Sequence, residues 1–211
     1  MLIERGGSRS FPAPHPLLDA ARDHASIALL IGEDAGAALA GIDAPGRMAA
    51  ILIELGTECL AVHAGEGAAN ILGFARFRLG DDPPSDLVEL VRQGATSASS
   101  LAAAQAFLDA AGLSVALCND IAGRIIDRLV RPYFNAALTK LDEGLATAAD
   151  LDLTVRLGLG YPTGPIALLE RSGLAHHFDV SAALLAAYGE PAYAPARRAR
   201  VAKERKLRGK D

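Results

Sequence analysis

GRIIDRLVRPYFNAALTKLDEG, residues 123–144, is strongly amphipathic. Ile125, Leu129, Tyr133, Ala137 and Leu141 recur every four residues, so the spacing predicts a helix whose apolar stripe packs on a partner. Pro132 stands at its centre. It removes the N–H that would bond the carbonyl of Arg128, at a cost of about 3 kcal/mol unless compensated, and pushes the helix off axis. Asp127 lies on the first turns, beside that kink.

Helical periodicity continues downstream. Thr147-Ala148-Ala149-Asp150 is a Ser/Thr-x-x-acid helix start, and the helix it opens ends at Gly158 and Gly160. GYPTGPIALLERSG (160–173) puts Pro165 in the first turn of another helix and Gly173 at its stop. A further apolar helix and a proline-bearing turn follow to residue 195. His176 and His177 are adjacent and face different ways, so they are no metal pair. Upstream, β-rich runs alternate with helical ones. SIALLIG (26–32), CLAVHAG (59–65), ILGFARF (71–77), DLVELVR (86–92) and LSVALCN (113–119) are predicted strands. GRMAAILIELG (46–56) and SASSLAAAQAFLDAAG (97–112) are predicted helices. The pattern implies a largely parallel α/β layer over residues 1–118, then an all-helical domain over 119–211.

The composition allows either one large domain or two small ones, since 51% of the 211 residues are hydrophobic, enough for a sizeable core. Every apolar run is interrupted before membrane-spanning length, and MLIERGGSRSFPAPHP lacks the order of a signal peptide, so no membrane partner is expected. Cys59 and Cys118 have no CxxC partner. As buried free thiols they fit a reducing compartment, and a cytoplasmic location is expected. Eight Lys/Arg fall in the last fifteen residues, RRARVAKERKLRGKD, leaving thirteen basic against twenty-three acidic residues elsewhere. Without interleaved aromatics or a nucleic-acid motif, that tail is read as a frayed, solvated helical end and no nucleic-acid partner is expected.

A dinucleotide site needs a glycine-rich turn between a strand and a helix. Gly32-Glu33-Asp34-Ala35-Gly36 carries two carboxylates where an anion should sit. Gly65-Glu66-Gly67-Ala68-Ala69-Asn70 runs straight into another strand, leaving no room for the helix. His63 and His24 are the remaining candidate bases, and each is read as structural.

The run DIAGRIIDRLVRPYFNAALTKLDEGLATAADLDLTVRLGLGYPTGPIALLERSGL, residues 120–174, resembles the C-terminal helical domain of the 3-hydroxyacyl-CoA dehydrogenases. That family shows D-x-P-G-F-x-x-N-R-L-x-x-P-Y-x-N-E-A, then E-G-x-A-x-x-x-D-I-D, then L-G-x-x-x-P-x-G-P. The matches are Asp120, Gly123, Arg128, Leu129, Pro132, Tyr133, Asn135 and Ala137, then Glu143, Gly144, Asp150 and Asp152, then Gly158, Pro162, Gly164 and Pro165. A weaker likeness runs back through DLVELVRQGATSASS to GFARFRL. The resemblance implies a Rossmann-like NAD domain and a dimerising helical domain like that of 6-phosphogluconate dehydrogenase. It also implies NAD-linked oxidation of an (S)-3-hydroxyacyl-CoA, and places Asp127, Arg128 and Pro132 at the substrate cleft.

The same alignment marks departures. Ala75 stands where the family's G-x-H-F-F-N-P run has its catalytic histidine, and losing a positioned base costs about 10²–10⁴-fold. Glu89 stands where a glutamate orients that histidine. Asp127 replaces the asparagine of N-R-L, and an ionised aspartate can only accept hydrogen bonds. The glycine fingerprint is absent, the α/β part is short, and no catalytic serine has a counterpart. Two readings stay open. One is a non-catalytic homologue that dimerises, holds an acyl-CoA, or joins a complete dehydrogenase subunit. The other is an active, shortened, NAD-dependent dehydrogenase with its substitutions compensated.

Overall fold

The computed structural model describes residues 1–19, 22, 25–80 and 82–209; His24 lies outside them. It divides the chain into two compact units. One holds Met1–Arg78 and Pro83–Ile125, the other Leu79–Asp82 and residues from Ile126 on. The division falls between Ile125 and Ile126 rather than at 118/119, because residues 120–125 return to the sheet. Asp120 accepts the N–H groups of Leu60 and Ala61 at 2.6 and 2.8 Å, and the N–H of Gly123 donates to Thr57 O at 2.8 Å.

The first unit is a reduced Rossmann-like sheet. Its strands are β1 (Leu2–Glu4), β2 (Ile27–Ile31), β3 (Ala50–Glu54), β4 (Ile71–Arg76), β5 (Leu87–Arg92) and β6 (Ser114–Asn119), and they stand in the sheet in sequence order. β1 to β4 are parallel, β5 is antiparallel to β4, and β6 is parallel to β5. Helices α1 (Pro16–Asp19), α2 (Ala61–Ala64) and α3 (Ala98–Asp109) complete it, with a 3-10 segment at Ala35–Gly41. Leu29, Ile31, Leu52, Leu72 and Phe74 pack on one face with Phe11, Leu17, Ala104 and Leu108. Ala28, Leu30, Ile51 and Ile53 pack on the other with Ala35, Ala38 and Leu60.

Two expectations are corrected in this unit. AILIE within GRMAAILIELG is strand β3, with all five residues buried. A strand covered on both faces loses its alternation and mimics a buried helix. CLAVHAG holds the short helix α2 rather than a strand, its start fixed by the Asp120 carboxylate. The N-terminal strand β1 gave no periodic signal, being three residues long.

The β1–β2 connection covers the face that carries α3, whereas the β2–β3 and β3–β4 connections cover the opposite face. All three step the same way along the sheet, so the first has the opposite hand to the next two. A doubly wound sheet keeps every crossover right-handed by reversing strand order where its connections change face, and that reversal opens the ligand crevice. Here the face changes and the order does not.

The second unit comprises α4 (Ile126–Asp142), α5 (Ala148–Leu159), α6 (Pro165–Ser172), α7 (Leu174–Tyr188) and α8 (Arg197–Leu207). α4 touches each of the others. Its buried residues are Arg131, Phe134, Asn135 and Leu138, whereas Leu129, from the predicted stripe, is 70% exposed. Two i, i+4 rows compete on this helix, and the row that faces inward carries two polar residues. α8 is no frayed end. It packs on α7, buries Ala199, and pairs Arg198 with Asp142 and Lys203 with Asp179, each at 2.7 Å.

The Asp152 and Gly164-Pro165 matches have a common physical basis. Asp152 reaches from α5 to accept the N–H groups of Ile166 and Ala167 at 2.8 and 2.9 Å, capping α6. A Cβ on Gly164 would collide with that carboxylate, and Pro165 supplies the first helical residue without an N–H to satisfy. Asp152→Ala is expected to cost the helical unit about 1–2 kcal/mol, read as a lower urea midpoint at unchanged slope.

Candidate functional site

The antiparallel register sets Ala75 directly opposite Glu89. Both are buried, at 5% and 3% exposure, so the carboxylate must be matched from within. Arg124 matches it. Its Nε donates to Glu89 Oε2 at 3.2 Å, its Nη1 donates to Gly56 O at 2.7 Å, and the Ile125 N–H donates to Glu89 Oε1 at 2.9 Å. Arg124 holds this position with φ at +51°, a left-handed conformation that costs a non-glycine residue about 1–2 kcal/mol. Neighbouring Cys118 is a half-buried free thiol, pushed up to about 11 by burial and by the charge of Glu89; Cys59 is likewise half-buried, free and raised.

Asp127, Arg128 and Pro132 lie on α4 in the helical unit. Asp127 Oδ1 accepts from Arg131 Nε at 2.7 Å, not from Arg128. The Arg131 side chain is 2% exposed, and its Nη1 lies 3.3 Å from His177 Nδ1. An arginine only donates, which fixes the imidazole proton on Nε2, where it bonds Asn135 Oδ1 at 2.9 Å. Asn135 Nδ2 then donates to the Ala192 carbonyl. Burial, then the charge of Arg131, hold His177 down at about 3. Arg128 turns elsewhere, donating to Tyr193 Oη at 3.3 Å and lying 4.2 Å from the Tyr188 ring centroid. Pro132 sits inside α4, which continues through it.

His63, on α2, has Nε2 3.2 Å from Glu58 Oε1. Burial raises the Glu58 carboxyl, but backbone N–H groups and His63 outweigh it and bring it below its usual value. A Cβ on Gly36 would collide with the imidazole, which rests on that backbone. Among the described residues, no group of three or more His, Cys, Asp or Glu is placed to hold a metal ion. No helix among them is long and apolar enough to cross a membrane.

Residues 123–211 match the family model described as 3-hydroxyacyl-CoA dehydrogenase, C-terminal domain. The human mitochondrial hydroxyacyl-coenzyme A dehydrogenase is 36% identical over 92 residues, 44% of this chain and 29% of that protein. The 3-hydroxybutyryl-CoA dehydrogenase of Mycobacterium tuberculosis is 32% identical over 114 residues, 54% of this chain and 40% of that protein. The crystal structure of (S)-3-hydroxybutyryl-CoA dehydrogenase from Ralstonia eutropha superposes with a TM-score of 0.74 at 25% identity, covering 87% of this chain and 66% of that one. The helical half belongs to the 3-hydroxyacyl-CoA dehydrogenase family. The chain spans well under half the length of these two curated relatives.

This is a family of NAD-dependent dehydrogenases, and the first unit does not fit that cofactor. Its sheet has no reversal of strand order. The loop after β1 runs through Ser8–Phe11 to α1 at Pro16 without a G-x-G-x-x-G turn. At the carboxyl ends of β2 and β3 lies a cavity of about 200 Å³ lined by Glu33, Glu54 and Glu58, with Arg9 the cation among them. The Gly65–Asn70 segment enters β4 with no intervening helix.

Arg124 escaped the sequence reading. Its signal was available, since it stands where the D-x-P-G-F run has phenylalanine, next to a retained Glu89. Arg124→Met should cost about 3–5 kcal/mol, because it strands a buried carboxylate, and adding Glu89→Leu should recover most of that. A denaturant double-mutant cycle reads the coupling, and additive costs would refute the pairing.

His177 adds a pH dependence. Its folded pKa lies below the unfolded value near 6.5, so the folded state binds the proton less well. Its contribution is complete above about pH 7 and is lost as pH falls from 6.5 toward 3. His177→Asn is expected to flatten this part of the acid-unfolding curve; an unchanged curve would show that other groups set it.

Proposed function

We propose that this chain is a non-dehydrogenating member of its family, a subunit that associates through its helical half and retains affinity for acyl-CoA thioesters. The Glu89–Arg124 pair carries the reading. The carboxylate that the resemblance assigns to orienting a catalytic histidine is taken by a guanidinium and a backbone N–H, and the base position is Ala75. Asp127 is likewise engaged by Arg131, and as an acceptor it opposes charge developing on a substrate carbonyl.

Association is supported by α5, which buries no residue of its own and leaves Leu153, Leu157 and Leu159 between 48% and 76% exposed. Leu145 and Tyr161 extend the exposed apolar surface. A face of that kind calls for a partner, either a second copy or a complete dehydrogenase subunit. The thioester ligand is taken from the relatives' names alone. The competing reading, an active shortened dehydrogenase, rests on the Glu58–His63 pair as a displaced acid–base couple.

One set of measurements on the purified chain separates these. Absorbance assays with NADH and acetoacetyl-CoA are expected to show turnover at least about 10²-fold below a complete dehydrogenase. Calorimetry should show saturable acetoacetyl-CoA binding, and sedimentation at micromolar concentration should show a dimer. Turnover abolished by His63→Asn would establish the competing reading, and a monomer would remove the association.

A further inference from the structure

The carboxyl ends of β1 to β4 share one end of the sheet, where an α/β fold receives its ligand. In this chain that end is occupied by the chain itself. Glu54, the last residue of β3, is 7% exposed. Its Oε1 accepts the N–H of Ser10, from the loop after β1, and its Oε2 accepts the N–H of Gly32, directly after β2, each at 2.7 Å. A pyrophosphate in a dinucleotide fold takes backbone N–H donors of this kind from the loop after the first strand.

The loop is clamped from a second side. Arg76, the last residue of β4, gives its N–H to Ser10 Oγ at 3.2 Å and its Nη1 to Ser10 O at 2.9 Å, and its guanidinium lies 5.2 Å from the Phe11 ring centroid. Ser8 Oγ accepts the Phe11 N–H at 2.9 Å, and the Phe11 ring packs 6.1 Å from that of Phe74. Ser8, Ser10 and Phe11 are all buried, Ser10 at 1% exposure. Gly32 is obligatory under this loop. It has φ at +103°, and a Cβ there would collide with the Arg5 carbonyl.

We infer that Glu54 is a resident anion standing in for a nucleotide phosphate, and that Ser8–Phe11 is a fixed plug that closes this end of the sheet to dinucleotides. The donors that would greet a phosphate are satisfied by a carboxylate already on the chain, and a second anion brought to the same place meets Glu33 and Glu58 besides. This inference stands on the Glu54 contacts, independently of Ala75.

The test uses the full chain. Calorimetric titration of NADH into the wild-type protein should show no saturable binding up to about 1 mM. Glu54→Ala should lower the melting temperature by about 5 °C or more, and formate should restore part of it relative to chloride at equal ionic strength, leaving the wild type unmoved. If Glu54→Ala does not fold, Glu54→Gln carries the test: it keeps one acceptor oxygen and should melt below the wild type. Saturable NADH binding to the wild type, a Glu54→Ala protein indifferent to formate, or a Glu54→Gln protein as stable as wild type would each overturn the inference. NADH binding without turnover would overturn it and leave the proposed function standing.

Discussion

An ionised carboxylate in the interior of a sheet costs several kcal/mol unless donors surround it, and among the described residues the α/β unit buries Glu54 and Glu89. Three irregular segments of that unit supply those donors. Glu54 gathers the loops after β1 and β2; Glu89 gathers the segment after β6 through Arg124 and Ile125. Asp120 does the same at the surface of the sheet, taking two N–H groups at the start of α2 and a third hydrogen bond from Gln93 Nε2. The connections of this small fold are therefore stitched by acids rather than by long helices. Helix α2, at four residues, contributes little dipole and little buried area of its own.

The missing strand-order reversal belongs to the same account. A doubly wound sheet builds its crevice from two diverging connections, and phosphate binding uses the helix that starts there. With the strands in sequence order, Phe11 and Leu17 from the first connection cover this face of the sheet. The charge that satisfies the loop amides comes from the protein.

Legibility from sequence follows the physics of each element. The helical half was readable because its punctuation is local: Thr147 capping α5, Gly164-Pro165 opening α6 and Gly173 ending it are decided within a few residues. β4 and β5 were legible as short apolar runs bounded by polar or glycine residues, and α3 by its Ser97 cap. β3 was not, because burial on both faces erased its alternation, and α2 was not, because Asp120, sixty residues away, fixes its start. At the site, Ala75, Glu89 and Asp127 were visible as positions, but their partners were not. Arg124 and Arg131 were found only when the fold placed them, since which cation answers a buried acid is a tertiary matter. The inward row of α4 was hidden for a related reason. Arg131 and Asn135 are polar, and their burial depends on His177 from α7.

Ala75 and Arg124 are best understood together. Alanine at the base position leaves Glu89 without the imidazole that the resemblance assigns to it, and a buried carboxylate in that state would be strongly destabilising. Arginine in place of the aromatic residue of D-x-P-G-F removes the problem by bringing a guanidinium to the same carboxylate, and the Gly56 carbonyl holds that guanidinium in turn. The two departures are complementary in charge, and the second makes the first tolerable. They are also hard to reverse singly. A histidine at 75 would have to share a carboxylate that already accepts from Arg124 and the Ile125 N–H, beside the charge of a guanidinium that opposes its protonation. Loss of Arg124 without that histidine would strand the acid again. Charge balance in this corner of the sheet therefore couples position 75 to position 124 through Glu89.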